Sequence, residues 1–326
     1  MNNYPMNRRT FLGVAAGLAL AYKGAKGARA AAPMPVIDTH IHLFDPFRPG
    51  GAPWPSAKNP AHAVMYKTSL PSRYRPIAEP LGIVGAIEVE CSPLLEDNQW
   101  VLDVAEKNDI MVGTVGRLVP GTPEFRPNLD RFHKNPLYRG IRYGLGRQSG
   151  REFDRPEFVA DLQALADADL VLDTANPSVA LLADVVRVSD RVPNLRVVID
   201  HLPQMVPPTE PAERASYDAS MKAFRDRPQI YVKVSEVLRS VEGNIPTDIE
   251  FYRPRLDEIL DVFGIDHVLY GSDWPNGDQW LPVPVGFKIV QEYFMAKGQL
   301  AAEKYFWRNS IKCYKWVHRT ASQPQA

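Results

Sequence analysis

Short apolar or β-branched runs recur along this chain, separated by stretches with helical spacing. The runs are Val36–His42, Ile83–Glu90, Ile110–Gly116, Tyr138–Tyr143, Leu170–Thr174, Leu195–His201, Ile230–Ser235 and His267–Ser272. Runs of this length read as buried strands. Between them, Pro177–Val192 places Val179, Leu182, Val185 and Val186 on one helical face. Leu94–Lys107 has Glu96 and Asp97 in its first turn and Lys107 in its last, as the helix dipole favours. Pro156–Ala168 and Arg255–Phe263 are similar in kind, and Leu300–His318 predicts an extra C-terminal helix. Eight strand–helix units in one domain predict a (β/α)8 TIM-type barrel of the α/β class. A doubly wound open sheet is the alternative. No G-x-G-x-x-G follows the first strand, which argues against a nucleotide-binding version of that sheet.

The first residues follow a different pattern. Asn7-Arg8-Arg9-Thr10-Phe11-Leu12 reads as a twin-arginine signal, with an apolar stretch from Phe11 to Ala21 too short for a permanent span. Ala28-Arg29-Ala30 and Ala30-Ala31-Ala32 are candidate cleavage sites. The expectation is a removed signal over residues 1–32, one barrel domain over 33–326, and periplasmic or other export. An uncleaved N-terminal anchor is the alternative. About 295 residues then remain, enough for one large domain. The net charge of +0 gives no reason to expect nucleic acid or an anionic membrane as partner. The expected partners are a small-molecule substrate and the twin-arginine export machinery, with a homo-oligomer left open and no stable membrane association after cleavage. Cys91 and Cys313 are read as two free thiols rather than a disulfide. Prolines cluster at Pro46–Pro60, Pro203–Pro211 and Pro275–Pro284, after the first, sixth and eighth strands. In a barrel those loops share the C-terminal face, where sites are built, and proline stiffens them.

The chemistry gathers at the same strand ends. His40 and His42 are two apart at the exit of the first strand and so share a face. His201 ends the sixth strand and Asp273 the eighth. Singly, each has an ordinary reading as a polar cap or turn residue. Barrel closure would bring all four into one pocket. Arg142 and Arg117, at the ends of the fourth and third strands, either clamp a substrate carboxylate or make rim salt bridges. Glu90 is placed to accept from a hydroxyl. Lys233 reads either as an inward substrate-binding residue or as a layer residue paired with Glu236 or a neighbouring acid. Trp54 and Trp274, with Phe44, Phe47, Tyr66 and Trp280, either stack on a ring or pack a lid. His62, His133, His267 and His318 read as structural or exposed.

Four segments together resemble the amidohydrolase superfamily, in the lactonase branch that includes L-fuconolactonases and 2-pyrone-4,6-dicarboxylate hydrolases. They are Asp38–His42, Val198–His201, Tyr231–Ser235 and Tyr270–Pro275, and the resemblance spans Asp38 to about Trp316. It implies a barrel with His40, His42, His201 and Asp273 around a reacting carbonyl. In metal-dependent relatives His40 and His42 would bind an ion, and Asp273 would bind it or take a proton from water. The chain departs from the metal-dependent pattern at the fifth strand, where Asp173 stands for a histidine, and at the fourth, where Arg142 cannot bridge two ions. The expectation is therefore one divalent ion, zinc or manganese, on His40, His42, His201 and Asp273, or metal-free catalysis. The expected function is opening of a lactone or similar cyclic ester of a sugar acid or aromatic-degradation intermediate, with Asp273 as base and the histidines polarising the carbonyl. A metal-dependent decarboxylase of the same superfamily and a non-catalytic periplasmic binding barrel are the alternatives.

Overall fold

The structure, a computed structural model, describes residues 34–146 and 151–325. The signal expected over residues 1–32 lies outside these residues. All eight strands form where the apolar runs place them: β1 Val36–Ile41, β2 Ile83–Val89, β3 Met111–Gly116, β4 Tyr138–Tyr143, β5 Val171–Thr174, β6 Arg196–Ile199, β7 Ile230–Val234 and β8 Val268–Tyr270. They are hydrogen-bonded in chain order, each neighbouring pair parallel. The ring closes just beyond the short β8. Asp273 N donates to His40 O at 2.8 Å, and His42 N donates to Trp274 O at 2.7 Å.

Eight main helices wrap the strands: α1 Pro71–Ala78, α2 Asp97–Glu106, α3 Phe125–Phe132, α4 Pro156–Asp167, α5 Val179–Arg191, α6 Pro211–Phe224, α7 Ile249–Phe263 and α8 Val283–Ala296. Apolar strand residues divide between two buried layers, as a barrel requires. Ile37, Ile87, Val112, Val171, Val198 and Leu269 fill the interior. Ala86, Ile141 and Leu172 face outward and pack with helix residues such as Leu102, Leu162 and Leu182.

The expected single C-terminal helix is three pieces: α9 Gln299–Glu303, a π-turn Lys304–Arg308 and α10 Asn309–Tyr314. The wide turn lets Tyr305, Phe306 and Trp307 all be buried. Trp307, Cys313, Tyr314 and Trp316 then join the interior layer, so this segment plugs the barrel floor. Arg196 Nε at the start of β6 donates to Cys313 O, and Val317 N donates to Val112 O. Cys91 and Cys313 are both free thiols.

Candidate active site

At β1 a register irregularity between Asp38 and Ile41 changes which residues face inward. Ile37 belongs to the interior layer, but Ile41, four residues on, belongs to the outer one. His40 and His42 therefore point inward together. Asp38 secures the irregular segment: Oδ1 accepts from His40 N at 3.1 Å and Ser272 N at 2.9 Å, and Oδ2 accepts from Tyr74 O–H at 2.6 Å. Burial raises the Asp38 carboxyl, and these donors pull the other way.

His201, Glu236 and Asp273 follow β6, β7 and β8, and each has a left-handed backbone, with φ of 53°, 47° and 57°. Such conformations cost a non-glycine residue about 1–3 kcal/mol and cluster where a side chain must be aimed. Here they turn three side chains toward one point. Asp273 Oδ1 lies 3.0 Å from His42 Nε2, 3.3 Å from His40 Nε2 and 3.8 Å from His201 Nε2. Asp273 Oδ2 accepts from Asn276 Nδ2 at 2.6 Å, and the same amide reaches Glu236 Oε1 at 3.2 Å.

The charges in this cluster are set by burial and by one another. Burial raises the Asp273 carboxyl, but His201, His42 and His40 outweigh it and hold Asp273 well below the ordinary carboxylate value. Burial first, and then the Asp273 charge, push Glu236 well above its ordinary value. Burial lowers His201 to about 4, against the opposing pull of Asp273 and Asp200. His40 is lowered well below the usual histidine value by burial and by Lys233. A lowered carboxyl beside a raised one is the division of labour that acid–base chemistry needs.

These groups form one end of an open cavity of about 480 Å³. Its walls include His42, His201 and Asp273, with Trp54, Glu90, Arg117 and Arg142 of the residues singled out in the sequence. Arg142 Nε lies 3.2 Å from Asp200 Oδ2 and donates to Thr174 O at 3.1 Å, and Arg117 pairs with Glu90 at 3.6 Å. Three expected site residues lie elsewhere. His40 is fully buried behind His42 and Asp273, outside the cavity wall. Lys233 is 0% exposed, does not reach the cavity wall, and is held between Asp173 and Asp200, neighbouring acids other than Glu236. Trp274 is also 0% exposed and packs against Tyr74 and under Arg73, not on a ligand ring. Glu236, Asn276 and Gln279 line the cavity and were not singled out. Glu236 carried a signal, since it follows a strand exit as His201 and Asp273 do.

The donors fall in overlapping groups of a kind that could hold a divalent cation. His40, His42 and Asp273 bring one ligand atom each within 4.8 Å of one another, and so do His201, Glu236 and Asp273. His40 Nε2 and Asp273 Oδ1 are buried without a hydrogen-bond partner. His42 Nδ1 is 2.6 Å from Val89 O, an acceptor, so the ring proton sits there and the Nε2 lone pair faces Asp273. Two acceptors 3.0 Å apart require a shared proton or a cation.

Comparison with known proteins gives a family match described as amidohydrolase over residues 37–316. An L-fucono-1,5-lactonase from Burkholderia ambifaria is 26% identical over 243 residues, covering 73% of this chain and 80% of that protein. Three solved structures share the fold. An amidohydrolase from Burkholderia multivorans with bound zinc has a TM-score of 0.73 at 19% identity, covering 86% of this chain and 99% of that one. A probable 2-pyrone-4,6-dicarboxylic acid hydrolase from Acinetobacter baumannii, with citric acid bound, has a TM-score of 0.69 at 16% identity, covering 86% and 100%. A 5-carboxyvanillate decarboxylase from Novosphingobium aromaticivorans, complexed with manganese, has a TM-score of 0.61 at 16% identity, covering 86% and 96%.

Proposed function

The chain belongs to the amidohydrolase family, and from that premise we propose that it hydrolyses a lactone, using Asp273 to activate water. The observation that carries this reading is the Asp273 carboxylate at the cavity, faced by three imidazoles and beside Glu236, whose carboxyl is pushed up. The lactonase relative points to the same bond. Asp273 takes a proton from a water molecule as its oxygen attacks the ester carbonyl. His201, on the cavity wall, donates from its ring to the carbonyl oxygen as it becomes an oxyanion, whereas His42 has its ring proton on the Val89 carbonyl. Glu236 holds the proton that the departing ring oxygen needs, and its contact with Asp273 offers a return path for that proton. The product is the open hydroxy acid. Arg142 supplies a fixed cation for a carboxylate or oxyanion on the substrate, and Trp54 an aromatic wall.

A zinc or manganese ion would be held by His42 and Asp273, with His40 as third ligand when its Nε2 lone pair is free. When bound, it supplies Lewis-acid polarisation of the ester carbonyl. The decarboxylase reading shares the barrel and is supported by a neighbouring fold. It is weakened by Asp173, which faces Lys233 where the metal-dependent pattern has a histidine ligand.

The test is a pH-indicator assay on a panel of sugar lactones and muconolactones, run beside Asp273→Asn. Proton release is expected, with kcat reduced by about 10²-fold or more in the variant. Wild-type turnover in Asp273→Asn, or CO₂ release from carboxylated aromatics without lactone opening, overturns the reading.

A further inference from the structure

Lys233 is the only lysine buried among the described residues, and its surroundings decide the state of His40. Its Nζ lies 2.5 Å from Asp173 Oδ2, 3.0 Å from Asp200 Oδ1 and 3.2 Å from His40 Nδ1. An ammonium has three N–H donors and no acceptor; here it hydrogen-bonds Asp173 and His40 and pairs with Asp200 by charge alone. From below, Tyr314 O–H donates to both Asp173 oxygens, at 2.8 and 3.0 Å, and its ring lies 5.5 Å from Nζ. The floor plug thus fixes Asp173, and Asp173 and Asp200 fix the ammonium.

The consequence falls on the His40 ring. A ring nitrogen that accepts from Lys233 carries no proton, so in the neutral ring the proton is on Nε2. That nitrogen faces Asp273 Oδ1 at 3.3 Å, and His40 does not reach the cavity wall. A metal-ligating histidine needs the opposite arrangement, with Nδ1–H held by an acceptor and the Nε2 lone pair free. The available acceptor is Asp200 Oδ1, which at 3.6 Å lies beyond hydrogen-bond reach of Nδ1, while its charge pairs with the ammonium at 3.0 Å.

We propose that Lys233 is a positioning residue that holds His40 in its Nε2–H tautomer, so that His40 orients the Asp273 carboxylate instead of ligating a metal. The importance of Asp273 rests on the lactonase reading; the tautomer does not. Lys233 then sets the chain toward metal-free work, because any ion must first displace the His40 proton to gain its third ligand.

The direct test is long-range ¹⁵N–¹H correlation NMR on the full chain labelled at histidine, without and with saturating zinc. His40 is expected to show a protonated Nε2 and a bare Nδ1 in both spectra. A protonated Nδ1 in the metal-free protein, or loss of the Nε2 proton on adding zinc, overturns the proposal. A zinc titration of Lys233→Met gives a second readout, with affinity at least tenfold above wild type expected. An unchanged affinity in a folded variant contradicts the proposal. If Lys233→Met does not fold, the wild-type spectra still decide. Failure of the lactonase reading would appear in the turnover assay and leave these spectra unchanged.

Discussion

Arg142 is a guanidinium at the cavity wall whose Nε side faces Asp200 and the Thr174 carbonyl. Hydrogen bonds to charged groups are worth about 1.5–3 kcal/mol, so Arg142→Met should cut kcat/KM for carboxylated lactones by about 10–100-fold. Neutral sugar lactones should lose less, and an equal loss across both classes would remove Arg142 from substrate recognition. Glu88 gives a prediction in pH. Its side chain is 1% exposed, with Oε1 unpartnered. Burial first, and then Glu90, push its carboxyl well above the ordinary value. Between about pH 4.3, where an unfolded Glu titrates, and the raised folded value, the native state holds a proton that the unfolded chain has lost. Stability therefore falls as pH rises through that window. Glu88→Gln mimics the neutral acid and removes this loss, so its Tm advantage over wild type should grow from pH 4 to 7. A constant or shrinking difference would mean that Glu88 is ionised in the folded protein. At this scale the sequence showed His42, His201 and Asp273 clearly, because each ends a strand. It could not show depth. His40, Lys233 and Trp274 have the right strand positions but lie below or behind the cavity, and burial depends on neighbours distant in sequence.

Among the elements, strands were the more legible, since a buried parallel strand is a continuous apolar run needing no alternation. Helices α1, α3, α6 and α8 were not predicted from the sequence. Helix α1 contains Pro76, and α3 is only eight residues long. The bend of β1 had no signature at all, because it depends on Asp38 reaching Ser272 across the closing seam. That seam also requires Gly271. A Cβ there would lie 2.8 Å from His40 Cβ and 3.4 Å from Ser235 Cβ. Neither neighbour is a flexible side-chain end, so the β1 and β8 backbones would have to part. Gly271→Ala should cost about 1–3 kcal/mol in stability, the usual cost of overpacking, and should lower kcat by moving His40 from Asp273. Denaturant unfolding and steady-state kinetics check both. Normal turnover in the variant would show that the His40–Asp273 spacing does not matter to the chemistry.

For the whole molecule, the deciding contacts join the ends of the described chain. Asp273 N meets His40 O, Thr39 O–H meets Tyr270 O across 231 residues, and Tyr314 bonds Asp173 across 141. A barrel closed by such distant contacts forms late, because loop closure comes before the contacts that reward it. The site exists only once β1, β6, β7, β8 and the floor plug have assembled. A chain of this topology suits export after folding, which is the service a twin-arginine signal requests. We therefore predict that replacing Arg8 and Arg9 together by lysine leaves the protein in the cytoplasm as precursor, while the wild-type chain is recovered from the periplasm. Cell fractionation with N-terminal sequencing reads both outcomes, and the mature terminus is expected just after Ala30 or Ala32. On the twin-arginine expectation the unexported variant should have the same specific activity, since folding would precede export. Periplasmic recovery of the lysine variant, or an inactive cytoplasmic precursor, would separate the leader from the fold and leave export to another route.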